Sequence, residues 1–147
     1  MRMTTMQTLD IESCAAPAGY SRLDAPPGFV RRVGEFHVHE QQPVLGLRIT
    51  ADHLNSIRIA HGGLLATLAD TAFGVLLRRL LSLPGSPPTV SLSLDYLSPA
   101  REGDWVEAEV ELHKAGRRLV NASCMLRADG RALVRASGVF IMTQGGT

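Results

Sequence analysis

Charge of one sign is what this sequence most lacks: 15 Lys+Arg stand against 14 Asp+Glu in 147 residues, a formal net charge of +1. A chain so close to neutral has no excess of positive charge with which to bind phosphate backbones, which argues against a nucleic-acid partner. With 45% apolar and 20% charged residues it is too hydrophobic for the disordered class. Cysteine is scarce. Cys14 and Cys124 lie far apart and match neither a zinc nor a C-x-x-C spacing, so a reducing compartment with two free thiols is expected. Long apolar runs are missing too. The greasiest stretch, Gly62 to Leu81, is broken by Asp70 and two threonines and carries Arg78 and Arg79, whereas a membrane span needs about 20 mostly apolar residues. The opening MRMTTMQTLDIESC lacks the apolar centre of a secretory signal, and a cytoplasmic location is the expectation. G-x-G-x-x-G, the P-loop and G-x-S-x-G are all absent. His37 and His39 flank Val38, but no Cys or acidic residue has ligand spacing to them, so neither a metal nor another cofactor is expected.

What is present is a change of period. Residues 1–27 show no sustained pattern and end in Asp24-Ala25-Pro26-Pro27-Gly28, which reads as a loosely ordered arm ahead of one domain spanning residues 28–147. Apolar and polar residues alternate in Val33 to Val38 and Val44 to Thr50, separated by Gln41-Gln42-Pro43, as in a strand pair. From Gly62 to about Leu81 the spacing becomes helical, through Leu64, Leu65, Leu68, Ala72, Val75, Leu76 and Leu80. Four more alternating runs follow: Thr89 to Leu97, Trp105 to His113, Arg117 to Arg127 and Ala132 to Met142. An Asp129-Gly130 hairpin signal joins the last two. Short connections predict antiparallel pairing in sequence order. A helix apolar on almost every side must be covered on most sides, and no second long helix is available to do it. The fold class is therefore α+β, a curved antiparallel sheet of about six strands wrapped around one central helix, the arrangement called a hotdog fold.

Asp70 is the only ionisable residue between His61 and Arg78. Helical spacing sets it in a stripe with Gly63, Ala66, Phe73 and Leu77, where a carboxylate must be paired, hydrogen bonded or used. Burial alone does not separate catalytic use from capping of a neighbouring loop's amides. Ahead of the helix stand Asn55 and then His61-Gly62-Gly63. Two glycines are poor helix formers, and their place at a helix start suggests that something approaches the backbone there. The unpaired amides of a first turn carry positive partial charge and suit a carbonyl oxygen becoming an oxyanion. A tight loop-to-helix junction explains the same residues. Asp70 follows Gly62 by eight residues, roughly 12 Å along one helix axis. Base and oxyanion donors of one site, each needing contacts of about 3 Å, must then come from two copies of the chain.

The string His61-Gly62-Gly63-Leu64-Leu65-Ala66-Thr67-Leu68-Ala69-Asp70-Thr71-Ala72-Phe73, followed by Ser93-Leu94-Asp95-Tyr96-Leu97-Ser98-Pro99-Ala100, resembles the phenylacetic-acid-pathway type of hotdog thioesterase, from about Gly28 to Met142. The resemblance implies hydrolysis of acyl-coenzyme A thioesters by a homodimer assembling to a homotetramer, with no cofactor. It implies that Asp70 is the general base or nucleophile and that the Gly62 amide polarises the thioester carbonyl. It implies further that Asn55 and His61 shape the loop and that Thr89 orients water. Members often carry a glycine after that Asn, whereas this chain has Ser56. Gly63, Phe73 and Thr89 are expected to meet the substrate. Arg118, with Arg101, Arg117 and Arg135, is a candidate for the coenzyme A phosphates. A sensor or carrier that binds acyl thioesters without cleaving them is the alternative, and a hydroxyacyl dehydratase is a third possibility.

Overall fold

The computed structural model of the chain describes residues 15–144; Cys14 and the first fourteen residues of the expected arm lie outside them. One long helix, α2 (Gly62–Leu80), lies against a single antiparallel sheet. The strands are β1 (Tyr20–Arg22), β2 (Phe36–His39), β3 (Val44–Arg48), β4 (Thr89–Tyr96), β5 (Trp105–Ala115), β6 (Leu119–Ala128) and β7 (Arg131–Ile141). A five-residue helix, α1 (Phe29–Val33), and a 3-10 turn, Ala51–His53, complete the elements. The order across the sheet is β1-β2-β3-β5-β6-β7-β4.

Alternation builds the inner face. On β5, Val106, Ala108 and Val110 are buried while Glu107, Glu109 and Glu111 are exposed. Because opposed residues share a face, Val110, Cys124, Ala136 and Leu94 form one row across four strands. That row packs on Leu65, Leu68, Ala72, Phe73, Leu76 and Leu77 of α2, all buried. Phe73 and Phe140 sit with ring centroids 4.8 Å apart and no exposure, so truncating either to Ala should cost about 3–5 kcal/mol. Asp129 (φ 48) and Gly130 (φ 73) both take positive φ, as the tight turn between β6 and β7 requires.

Four sequence expectations change. The sheet has seven strands among the described residues, because Tyr20–Arg22 of the expected arm pairs with β2. Val33 ends α1 and does not begin a strand, since Arg32 N–H donates to the Gly28 carbonyl and closes a helical turn after the prolines. β4 pairs with β7 and not with β5. The helix between β3 and β4 carries the chain to the far edge, and residues 97–104 bring it back to lay β5 beside β3. Finally, α2 is not covered all round: Gly63, Asp70 and Arg78 are exposed and Thr67, Thr71 and Gly74 half-buried. These small and polar residues form a stripe at helical spacing that the sheet, on the opposite side, does not reach. Asp70 therefore faces outward from the single chain, not into its core.

Candidate active site

The helix tip is built from the loop before it. His53 is buried and stitches three segments together: its Nε2 lies 2.7 Å from the Val33 carbonyl, its Nδ1 accepts from Thr50 N–H at 3.0 Å, and its carbonyl accepts from His61 N–H at 2.8 Å. Asn55 closes the loop on itself, its Oδ1 accepting from Ile57 N–H at 3.1 Å and Ile59 N–H at 3.2 Å. Arg58, at φ 62, takes the left-handed turn in this loop, so the Ser56 that follows Asn55 carries no such strain. His61 caps the helix: its Nδ1 accepts from Gly63 N–H at 2.8 Å, which puts the ring proton on Nε2.

The two glycines are explained by what lies against them. A Cβ at Gly63 would stand 2.9 Å from His61 Nδ1, and one at Gly62 would stand 3.3 Å from the Tyr96 ring. Tyr96 OH donates to the Gly62 carbonyl at 2.6 Å. The Gly62 N–H itself donates to no acceptor among the described residues. It is an orphan donor of a helix first turn.

Two turns further on, Thr89 OH donates to Asp70 Oδ1 at 2.7 Å. Register explains how Thr89 comes to face the helix. Leu92, Leu94 and Tyr96 oppose Gly138, Ala136 and Val134 on the inner face, and strict alternation would turn Thr89 outward with Ser91 and Ser93. The pairing slips between Thr89 and Ser91, so that Thr89 opposes the buried Phe140. Such a bulge re-aims one side chain. Among the described residues Asp70 has no basic partner, and beside it opens a cavity of about 620 Å³ that Thr89 also lines.

The structure thus brings the expected residues together in two groups: Asn55, His61, Gly62 and Gly63 at the tip, and Asp70 with Thr89 along the helix. Eight residues of helix, about 12 Å, hold the groups apart in one chain. Phe73 stands in neither group, being turned into the core against Phe140. Arg118 is exposed on the β5–β6 connection. Its carbonyl accepts from Met142 N–H, and neighbouring Ile141 N–H donates to Pro88 just before Thr89, so Arg118 lies at the sheet end where Thr89 lies. Arg135 is paired with Asp95 at 2.9 Å. Sequence reasoning missed Tyr96, although its parity with Leu92 and Leu94 was the available signal. It also missed that residues 23–30 wall the cavity at Asp70.

Other candidates resolve into structure. His39 Nδ1 accepts from Gln41 and Gln42 N–H, and His37 packs on Trp105 with centroids 5.6 Å apart. Among the described residues no group of three or more His, Cys, Asp or Glu is placed to hold a metal ion, and no helix is long and apolar enough to cross a membrane. Cys124 is a free, buried thiol, which burial and then the charge of Glu109 push up to about 12.

Comparison with known proteins gives three kinds of likeness. Residues 58–135 match the family profile described as thioesterase superfamily. The Pseudomonas aeruginosa protein PA0474, which bears an esterase name, is 37% identical over 127 residues, covering 84% of this chain and 95% of that protein. Acyl-coenzyme A thioesterase 13 of Mus musculus is 29% identical over 101 residues, 66% of this chain and 71% of that protein. Among solved structures, the PaaI protein from the phenylacetic acid degradation operon of E. coli superposes with a TM-score of 0.66 at 22% identity, over 74% of this chain and 78% of that one. The fold is the hotdog arrangement.

Proposed function

This chain belongs to the thioesterase superfamily, and on that premise we propose that it hydrolyses acyl-coenzyme A thioesters to free acid and coenzyme A at a site shared between two copies. Asp70 is the general base or nucleophile. The Gly62 N–H of the second copy is the oxyanion donor. The observation that carries this reading is the Thr89 bond to one oxygen of Asp70, which fixes the carboxylate on the open face of the helix, its second oxygen without a partner among the described residues.

In the base route, that oxygen takes a proton from water while the water oxygen bonds to the thioester carbon. Charge collects on the carbonyl oxygen, where an orphan backbone N–H stabilises it at no reorganisation cost. The carbon–sulfur bond then breaks and the thiolate of coenzyme A leaves, taking up the proton. In the nucleophilic route Asp70 attacks directly, and water cleaves the resulting anhydride. Label found in Asp70 after a single turnover in isotopically labelled water establishes the second route, because only attack of water on the Asp70 carbonyl of the anhydride puts it there.

Similarity to an acyl-coenzyme A thioesterase supports the substrate class. The 12 Å between base and tip, the open face of α2, and β4 at the sheet edge with Val90 56% exposed and Leu97 just after the strand 51% exposed support a homodimer; a tetramer is what the family resemblance implies. His61, Asn55 and Gly63 hold the tip, and Arg118, at the Thr89 end of the sheet, is the candidate for a phosphate of coenzyme A. Asp70→Asn tests the assignment. It should lower thiol release at least about 100-fold, the usual scale for a lost general base, with little change in Tm, since this side chain is outside the core. Hydrolysis close to that of the unaltered protein would reject it.

A further inference from the structure

The cavity beside Asp70 has an unequal lining that assigns one arm of the thioester to it. It is bounded by Leu23, Pro26 and Phe29 on one wall, Gly74 and Val75 on the helix, and Pro88 on the other wall. Asp24, Thr71 and Ser86 also line the cavity, and Asp70 with Thr89 forms one polar end. From there it follows the helix to Arg78, eight residues or about 12 Å away. A volume of about 620 Å³ is in the range of small-molecule sites, which are mostly apolar with few polar groups that fix orientation.

The wall formed by residues 23–30 is held in place from both sides. β1 pairs with β2, Leu23 N–H donates to the Phe36 carbonyl at 2.8 Å, and α1 begins at Phe29. Two prolines between these anchors limit the backbone further. Phe29 stands 69% exposed at the rim. Opposite it, Gly74 leaves the floor low: a Cβ there would meet only Ser86, at 3.4 Å.

Resting on the hydrolase reading above, we infer that this groove is the acyl subsite, that the segment Leu23–Phe29 sets its width, and that it takes a medium-chain or aryl acyl group in preference to acetyl. With the thioester carbonyl at Asp70, one arm of the substrate must run along the helix. The apolar walls fit an acyl chain and offer little to the amides of the coenzyme A arm, and Arg78, about 12 Å from Asp70 along the helix, is the one cation in the lining.

Gly74→Leu fills the floor and raises helix propensity, so it should fold. It is expected to lower the kcat/KM ratio of octanoyl-CoA to acetyl-CoA at least about tenfold, the scale of a few lost methylene contacts, without changing product inhibition by coenzyme A. Phe29→Ala, at an exposed position, should lower the same ratio several-fold. An unchanged ratio in both variants, or weakened coenzyme A inhibition with equal losses for every acyl group, would overturn the assignment and give the groove to the other arm. Octanoyl-CoA and acetyl-CoA affinities measured in an Asp70→Asn background keep this test separate from the mechanism: the affinity ratio should still fall in Gly74→Leu if the groove is right and the base is wrong.

Discussion

Thr89 and Asp70 meet across the gap between β4 and α2, hydroxyl to carboxylate at 2.7 Å, and the hydroxyl is the donor. The bond occupies one carboxylate oxygen and sets the plane of the other. Removing it should free Asp70 to rotate without disturbing the core. Thr89→Val is expected to lower kcat about tenfold, less than the roughly 100-fold that a 1 Å misplacement can cost, while Thr89→Ser restores most of it. Steady-state thiol release for the two variants decides, and an active Thr89→Val beside an impaired Thr89→Ser would show that shape, not the hydroxyl, matters.

A shared site has an arithmetic consequence. Gly62→Pro removes the orphan N–H at the first helical position, where proline is tolerated, and His61 before it already has the extended backbone (φ -60, ψ 134) that proline requires. Alone, Gly62→Pro and Asp70→Asn should each be inactive. Refolded together, half of the pairs formed at random are mixed and each holds one intact site, so about a quarter of normal activity should return. No recovery on mixing would place both groups of one site within a single chain.

Tyr96 ties the last residue of β4 to the helix tip through the Gly62 carbonyl. Tyr96→Phe keeps the ring against Gly62 and deletes only the hydroxyl. The expected loss is about 1 kcal/mol of stability, as for one hydrogen bond, read from a denaturant midpoint. A several-fold fall in kcat with KM unchanged should accompany it, since the tip carries the oxyanion donor. An unchanged kcat would make Tyr96 a packing residue only.

Cys124 lies on the inner face of β6 with its thiol pushed up to about 12 by burial and by Glu109. Reaction needs the thiolate, which at neutral pH is a vanishing fraction here. Alkylation of Cys124 in the native protein should therefore be at least about 100-fold slower than in denaturant, measured by mass spectrometry over time. Rapid native labelling would mean that β6 opens far more easily than its packing indicates.

The sheet and the central helix were legible because their periods differ: Val106, Ala108 and Val110 repeat every second residue, and Leu65, Leu68, Ala72 and Leu76 follow the helix. The seat of β4 was not legible, since its short connection to β5 suggested a neighbour and only the preceding helix decides which edge it joins. Asp70, Gly62, His61 and Asn55 stood out by type and spacing, whereas Thr89 came only from the family resemblance. The exposure of Asp70 was misjudged because Thr67, Thr71 and Gly74 were counted with an apolar helix, although together with Asp70 they mark a face left open. Residues 23–30 carry no period, so nothing local linked them to the groove they wall. That link is made by the distant pairing of Tyr20–Arg22 with β2.

The slip in pairing between Thr89 and Ser91 makes the setting of Asp70 depend on strand length as well as on residue identity. Inserting one more residue between Thr89 and Ser91 would carry the threonine past Phe140 to the outer surface and leave the carboxylate unheld, although every residue at the site would still be present in the sequence. Relatives of this chain can thus gain or lose a poised acid by indels upstream of Ser91. An inventory of site residues will overcount the active members unless the spacing from the helix to that strand is counted with it.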